Sequence, residues 1–208
     1  MQGSKIGEPP RRGTALTSLA SRPLRTLRPT QATNEYAQPR QQLAKLARNG
    51  VLHRTATGYY VVVPMASRGT SWIPSLEATA AGIATADFGP GNAVLMGVSA
   101  ARLHGALPRA LSVAVVAAPV QRAQVRLQDR QAVVVFVKRN VPRLDAEQVQ
   151  TDLGPTLVTT VEQTVLDLAH RPQLGEQDQE QSARPWSPKW APDRSELCLL
   201  YTSDAADE

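Results

Sequence analysis

The chain has 208 residues, 42% of them hydrophobic but only 4% aromatic, and a net charge of +5. That length suits one large domain or two small ones, with cores packed from small and β-branched side chains. No apolar run approaches the ~20 residues of a membrane span, and the one cysteine, Cys198, leaves no internal disulfide and no Cys-rich zinc site.

Charge is unevenly placed. Residues 1–60 hold ten Lys and Arg against Glu8 and Glu35, a net of +8, whereas residues 61–170 are nearly neutral and residues 171–208 are acidic. A basic first third points to a polyanionic partner, most often nucleic acid. The N-terminus has basic residues but no apolar stretch followed by a cleavage site, so a cytoplasmic protein is expected.

Taken in chain order, residues 1–13 are Pro, Gly and charge without periodicity and read as disordered. "LTSLASRPLRTL" predicts a short helix broken at Pro23. Pro29 opens a second helical stretch, "PTQATNEYAQ", and Pro39 starts a third. In "PRQQLAKLARNG" a 100° rotation per residue clusters Leu43, Leu46 and Ala47 on one side and sets Gln41, Lys45 and Arg48 opposite. Asn49-Gly50 supplies the left-handed stop. "VLHR" and "GYYVVV" then pair as a hairpin, with Arg54, Thr55 and Thr57 at its tip. Tyr59 and Tyr60 face opposite sides of their strand, one for the core and one free for a partner.

Beyond Pro64 a helix is predicted from about Pro74 to Gly89, and a second over "VSAARLHGAL", with Ser99 as N-cap and Pro108 as stop. "ALSVAVVAAP", "AQVRLQD", "AVVVFVKR" and "TLVTT" read as strands. "TTVEQTVLDLAH" reads as a helix capped by Thr159 or Thr160, with Val161, Val165, Leu168 and Ala169 as its buried face. The predicted class is therefore α+β: a winged helix-turn-helix over residues 14–64 and a small α+β domain over 70–181.

The end of the chain reads differently. Residues 198–208, "CLLYTSDAADE", match the translation of a common transposase-based sequencing adapter. Residues 182–197 lack any apolar period, and one GC-rich codon choice read in another frame gives R-A-A-L-V-A-E-V-G-P, a helical sequence. A frameshift near Gln181 and a truncated C-terminus are expected.

Gln, Lys and Arg on one helix face supply the amide, ammonium and guanidinium groups that read purine edges and phosphates in a major groove. The candidate DNA-binding residues are Gln41, Lys45 and Arg48, with Arg40 placed for a phosphate and Arg54, Thr55 and Thr57 at the hairpin tip. No catalytic set emerges. His53, His104 and His170 lack metal-ligand spacing, "GVSAARLHG" is not a nucleophile elbow, and "FGPGN" cannot cradle a phosphate. No cofactor, metal or catalytic residue is expected.

"LAKLARNGVLHRTATGYYVVVP", "VLMGVSAARLHGALP" and "LVTTVEQTVLDLAH" together resemble the AbiEi antitoxins of type IV toxin–antitoxin systems, over roughly residues 27–170. The resemblance implies a two-domain DNA-binding repressor of its own operon, with a C-terminal domain needed for antitoxicity. It also implies a nucleotidyltransferase-like toxin as functional partner, countered without necessary direct contact. Pro39 departs from the Gly-containing turn of many relatives. Two other classes stay open: a protein-interaction module whose basic helix docks on an acidic partner, and the remnant of a fused nuclease-like enzyme whose catalytic domain is missing.

Overall fold

The computed structural model describes residues 12–108 and 112–171. Most of the residues read as disordered, frameshifted or adapter-derived lie outside these. The chain folds as α+β, as its mixed periodicities predict.

Helix α1 spans Arg12–Ala20, starting two residues before the expected boundary. Ala15 and Leu19, one turn apart, form its buried face. A short 3-10 turn, Pro23–Arg25, leads into strand β1, Thr26–Leu27. Leu24 and Arg25 take left-handed φ values of 50° and 49°, at a cost of roughly 1–2 kcal/mol each for L residues. Burial of Leu24 in the core shared with the second sheet offsets that strain.

The helix expected over residues 29–38 is only a 3-10 turn, Pro29–Ala32. Gln31 turns back to accept the Arg28 N–H at 2.9 Å, and Pro39 forces Gln38 out of helical geometry, to φ −126° and ψ 72°. Helix α2, Pro39–Arg48, then starts with proline in its first turn, where the missing N–H costs nothing. It closes in a Schellman motif: Val51 N–H donates to Leu46 O and Gly50 N–H to Ala47 O, with Gly50 at φ 69°. Strands β2, Leu52–Ala56, and β3, Tyr59–Val62, form the hairpin. β1 pairs with the far side of β3, so the small sheet runs β1-β3-β2.

Helix α3, Leu76–Phe88, starts at Ser75, whose hydroxyl accepts the Ala78 N–H. After β4, Val94–Leu95, helix α4 covers Val98–Leu103. Gly97, not Ser99, occupies its N-cap. Ser99 lies inside the helix, fully buried, and its hydroxyl accepts the Val115 N–H at 2.9 Å. Strands β5 (Val113–Ala118), β6 (Val125–Arg126), β7 (Val133–Lys138), β8 (Ala146–Thr151) and β9 (Gly154–Thr159) complete a six-stranded mixed sheet in the order β6-β7-β5-β4-β9-β8. β8 carries Glu and Gln on an edge, which hides it from an apolar-run reading.

Side chains alternate across this sheet. Ala114, Val116, Val134 and Phe136 face α3 and the small sheet, while Val113, Val115, Ala117 and Val137 face α4. The small sheet is likewise two-sided. Leu27, Leu52, Tyr60 and Val62 pack under α1 and α2, and Tyr59 and Val61 join the α3 core. A Cβ on Gly82 would come within 2.2 Å of Thr26 Oγ1, so glycine sets the close seat of β1 on α3.

Helix α5, Val161–His170, is capped by Thr160, whose hydroxyl accepts the Gln163 N–H at 3.3 Å. Its orientation corrects the expected buried face. Thr164 and Asp167 are buried, whereas Val161, Val165 and Leu166 are 52–60% exposed. The cause is polar: Arg139, just after β7, meets the Asp167 carboxylate at 3.5 Å, and Thr164 hydrogen-bonds Thr159 Oγ1 at 2.8 Å. Of the expected apolar face only Leu168 packs inward.

Candidate nucleic-acid interface

Leu43 is the anchor of α2, completely buried against the small sheet. The face opposite it is open. Arg40, Gln41, Lys45 and Arg48 are all exposed, and their side chains have no hydrogen-bond or ion-pair partner among the described residues. The one carboxylate nearby in sequence, Glu35, is taken: it pairs with Arg22 at 2.9 Å and accepts from Ser18. Burial by itself raises the Glu35 pKa, but the bonds from Ser18 and Arg22 and the Arg22 charge outweigh it, so the carboxyl titrates low. The α2 face is therefore cationic and uncompensated. Arg40, Gln41 and Gln38 also line a shallow depression with Pro29, Thr30 and Thr33 at the helix N-terminus.

The hairpin is less free than its sequence implies. Arg54 is exposed and unpartnered among the described residues. Thr55 is fully buried at the bulge between Arg54 and Ala56, so its hydroxyl is not available to a surface ligand. Thr57 is exposed, yet Gln128 Nε2 donates to its hydroxyl at 3.1 Å. Both tyrosines are buried, Tyr59 toward α3 and Tyr60 under α2, so neither is left for a partner. Of the three expected tip residues, one is open, one is shared with the second sheet and one is inside.

Two buried carboxylates hold the hairpin where it is. Asp87, near the end of α3, accepts the Tyr59 hydroxyl at 2.8 and 2.9 Å and Arg28 at 2.9 Å, and it also pairs with Arg122. Arg28 lies over the Tyr59 ring at 5.3 Å, and Arg122 lies 5.8 Å from the Tyr59 ring centroid and 5.3 Å from that of Phe136. At the other strand, Asp129 binds His53 Nε2 at 2.8 Å and Arg130 at 3.2 Å, with Trp72 edge-on to the imidazole. Burial raises the Asp129 pKa, but hydrogen bonds and charge from His53 and Arg130 pull it below its ordinary value. These contacts pair residues 59 and 76 positions apart, so no local pattern announces them.

The remaining histidines are placed without a shared site. His104 bonds the Thr159 carbonyl at 2.7 Å, tying the end of α4 to β9. His170 is exposed, and Asp167, three residues before it, turns to Arg139 instead. Among the described residues, no cluster of three or more His, Cys, Asp or Glu is positioned to hold a metal ion. None of their helices is long and apolar enough to cross a membrane.

Compared with known proteins, the chain matches no family model and no curated protein.

Proposed function

We propose that this chain is a duplex-DNA-binding transcriptional regulator, an AbiEi-like antitoxin that represses its own toxin–antitoxin operon. The observation that carries the reading is the outer stripe of α2: an amide, an ammonium and a guanidinium held outward, unpaired, by a helix whose other side is fixed through Leu43. The order of elements supports a winged helix: α1, β1, a helical turn, α2 and a hairpin whose second strand pairs with β1. In this reading α2 enters the major groove, Gln41, Lys45 and Arg48 address base edges and phosphates, and Arg40 and Arg54 hold the flanking backbone. Thr57 contributes at the tip while sharing its hydroxyl with Gln128. The chain acts by occupancy rather than catalysis, in the cytoplasm, and its functional partner is a nucleotidyltransferase-like toxin whose direct contact is not required.

Binding is expected to fall steeply with salt, because about four to six phosphate contacts each release counterions. A gel shift on the DNA upstream of the gene tests the reading. Lys45→Ala with Arg48→Ala weakens binding by about 1–3 kcal/mol for each side chain truncated. An unchanged shift for the double variant contradicts it.

A further inference from the structure

Between Gln121 and Gln131 the chain reads "QRAQVRLQDRQ", in which seven of eleven residues are Arg or Gln. These side chains serve nucleic-acid contacts well, so where each one goes matters. Arg122 is spent on Asp87 and Arg130 on Asp129, while Gln121 donates to the Phe136 carbonyl. Arg126 is different: it is exposed, with no side-chain partner among the described residues.

Its position is set by a junction between the two sheets. β2 is an edge of the small sheet and β6 an edge of the large one. An antiparallel bridge joins Ala56 to Leu127, and Gln128 N–H donates to the Thr55 carbonyl at 2.8 Å. Ala56 and Leu127 both point into the α3 core. Residues alternate across a strand, so Arg126 and Gln128, on either side of Leu127, point to the opposite face. That is the face of Arg54, whose cross-strand partner Tyr60 packs with Leu43 beneath α2. The bond from Gln128 to Thr57 fits the same placement. Arg54, Thr57, Arg126 and Gln128 are thus all exposed around this junction, on the side away from the α3 core, where Arg126 shares its face of the large sheet with its ladder partner Val133. The nearest acid in the sequence, Asp129, is occupied by His53 and Arg130.

We propose that Arg126, steadied by its strand junction beside Gln128, is a DNA phosphate contact contributed by the second sheet. β6 widens the hairpin, so that the chain grips the backbone flanking the segment addressed by α2. This rests on the duplex-DNA reading of α2. The ligand is the phosphodiester backbone: a free guanidinium fits a phosphate in bidentate fashion and carries no base preference there.

Fluorescence titrations of the full chain test this, with the upstream duplex and a random-sequence duplex between 50 and 200 mM salt. Arg126→Ala is compared with Arg126→Lys, with Lys45→Ala/Arg48→Ala, and with Arg143→Ala, an equal charge change at an exposed arginine on the turn after β7. Arg126→Ala is expected to weaken both duplexes equally, by about threefold, and to lower the slope of log K against log salt by about 0.9. Arg126→Lys keeps most of that slope, and Arg143→Ala leaves it unchanged. If Arg126→Ala behaves as Arg143→Ala while the α2 double variant loses affinity, the extension is wrong and the α2 reading stands. If the unaltered chain binds neither duplex at the lowest salt, both are wrong; capture of an acidic protein instead would identify these exposed residues as a protein-docking surface and overturn the proposal.

Discussion

Helices α2 and α5 have the same length, ten residues each, and both are amphipathic, yet only α2 buries its apolar face, while α5 is turned so that of its expected face only Leu168 packs inward. α2 meets an apolar floor of Leu52, Tyr60 and Val62, so Leu43 goes in and the charges stay out. α5 meets Arg139 and the Thr159 hydroxyl, so Asp167 and Thr164 go in and Val161 and Val165 are left in solvent. Periodicity identifies a helix and its two faces. Which face turns inward depends on what the neighbouring element presents, and a buried carboxylate with a half-buried guanidinium beside it can outrank exposed valines, because an unpaired buried charge costs several kcal/mol.

This contrast can be broken at either helix. Leu43→Ala removes the anchor of α2 and should destabilise the chain most, by about 2–5 kcal/mol in chemical denaturation. Retained stability there would mean that α2 does not depend on the small sheet. Asp167→Ala should cost about 1–3 kcal/mol by leaving Arg139 without its carboxylate. The docking of α5 predicts the reverse for its outward apolar residues. Val165→Ser and Leu166→Ser should each change stability by no more than about 0.5 kcal/mol, as exposed positions do. A loss of about 2 kcal/mol, the usual cost of emptying a core site, would show that this face is covered.

The latch at the hairpin sharpens the comparison through pH. The Asp129 pKa is lowered in the folded chain, so its contribution to stability is present above the unfolded value, about 3.9, and is lost as pH falls through the lower folded value. The melting temperature of the native chain should therefore exceed that of Asp129→Asn at neutral pH, and the gap should narrow on acidification below about pH 4. A gap independent of pH would mean that the carboxylate charge is not what holds β2 in place.

Much of the fold is legible in the residues themselves. α2 follows from leucine spacing and its Asn-Gly stop, α3 from a helical stretch between about Pro74 and Gly89, and β5 and β7 from continuous β-branched runs. Most of what is hidden has a common cause. The inward Thr55, the two buried tyrosines and the turned α5 depend on elements elsewhere in the chain, whereas the missing helix at 33–38 has a local cause in Pro39 and the Gln31 bond to the Arg28 N–H. The carboxylate hubs likewise depend on distant residues, since neither Asp87 nor Asp129 sits near its partners Arg28 and His53 in sequence. For the candidate site, the outward stripe of α2 is readable locally. The capture of the hairpin tip by Gln128 is not.

The most direct test follows hydrogen exchange along the chain with and without the upstream duplex. DNA engagement through α2 predicts slower exchange across Pro39–Arg48 and the β2–β3 turn, with Val161–His170 unchanged. Slowing confined to Val161–His170, with no change over Pro39–Arg48, would contradict it.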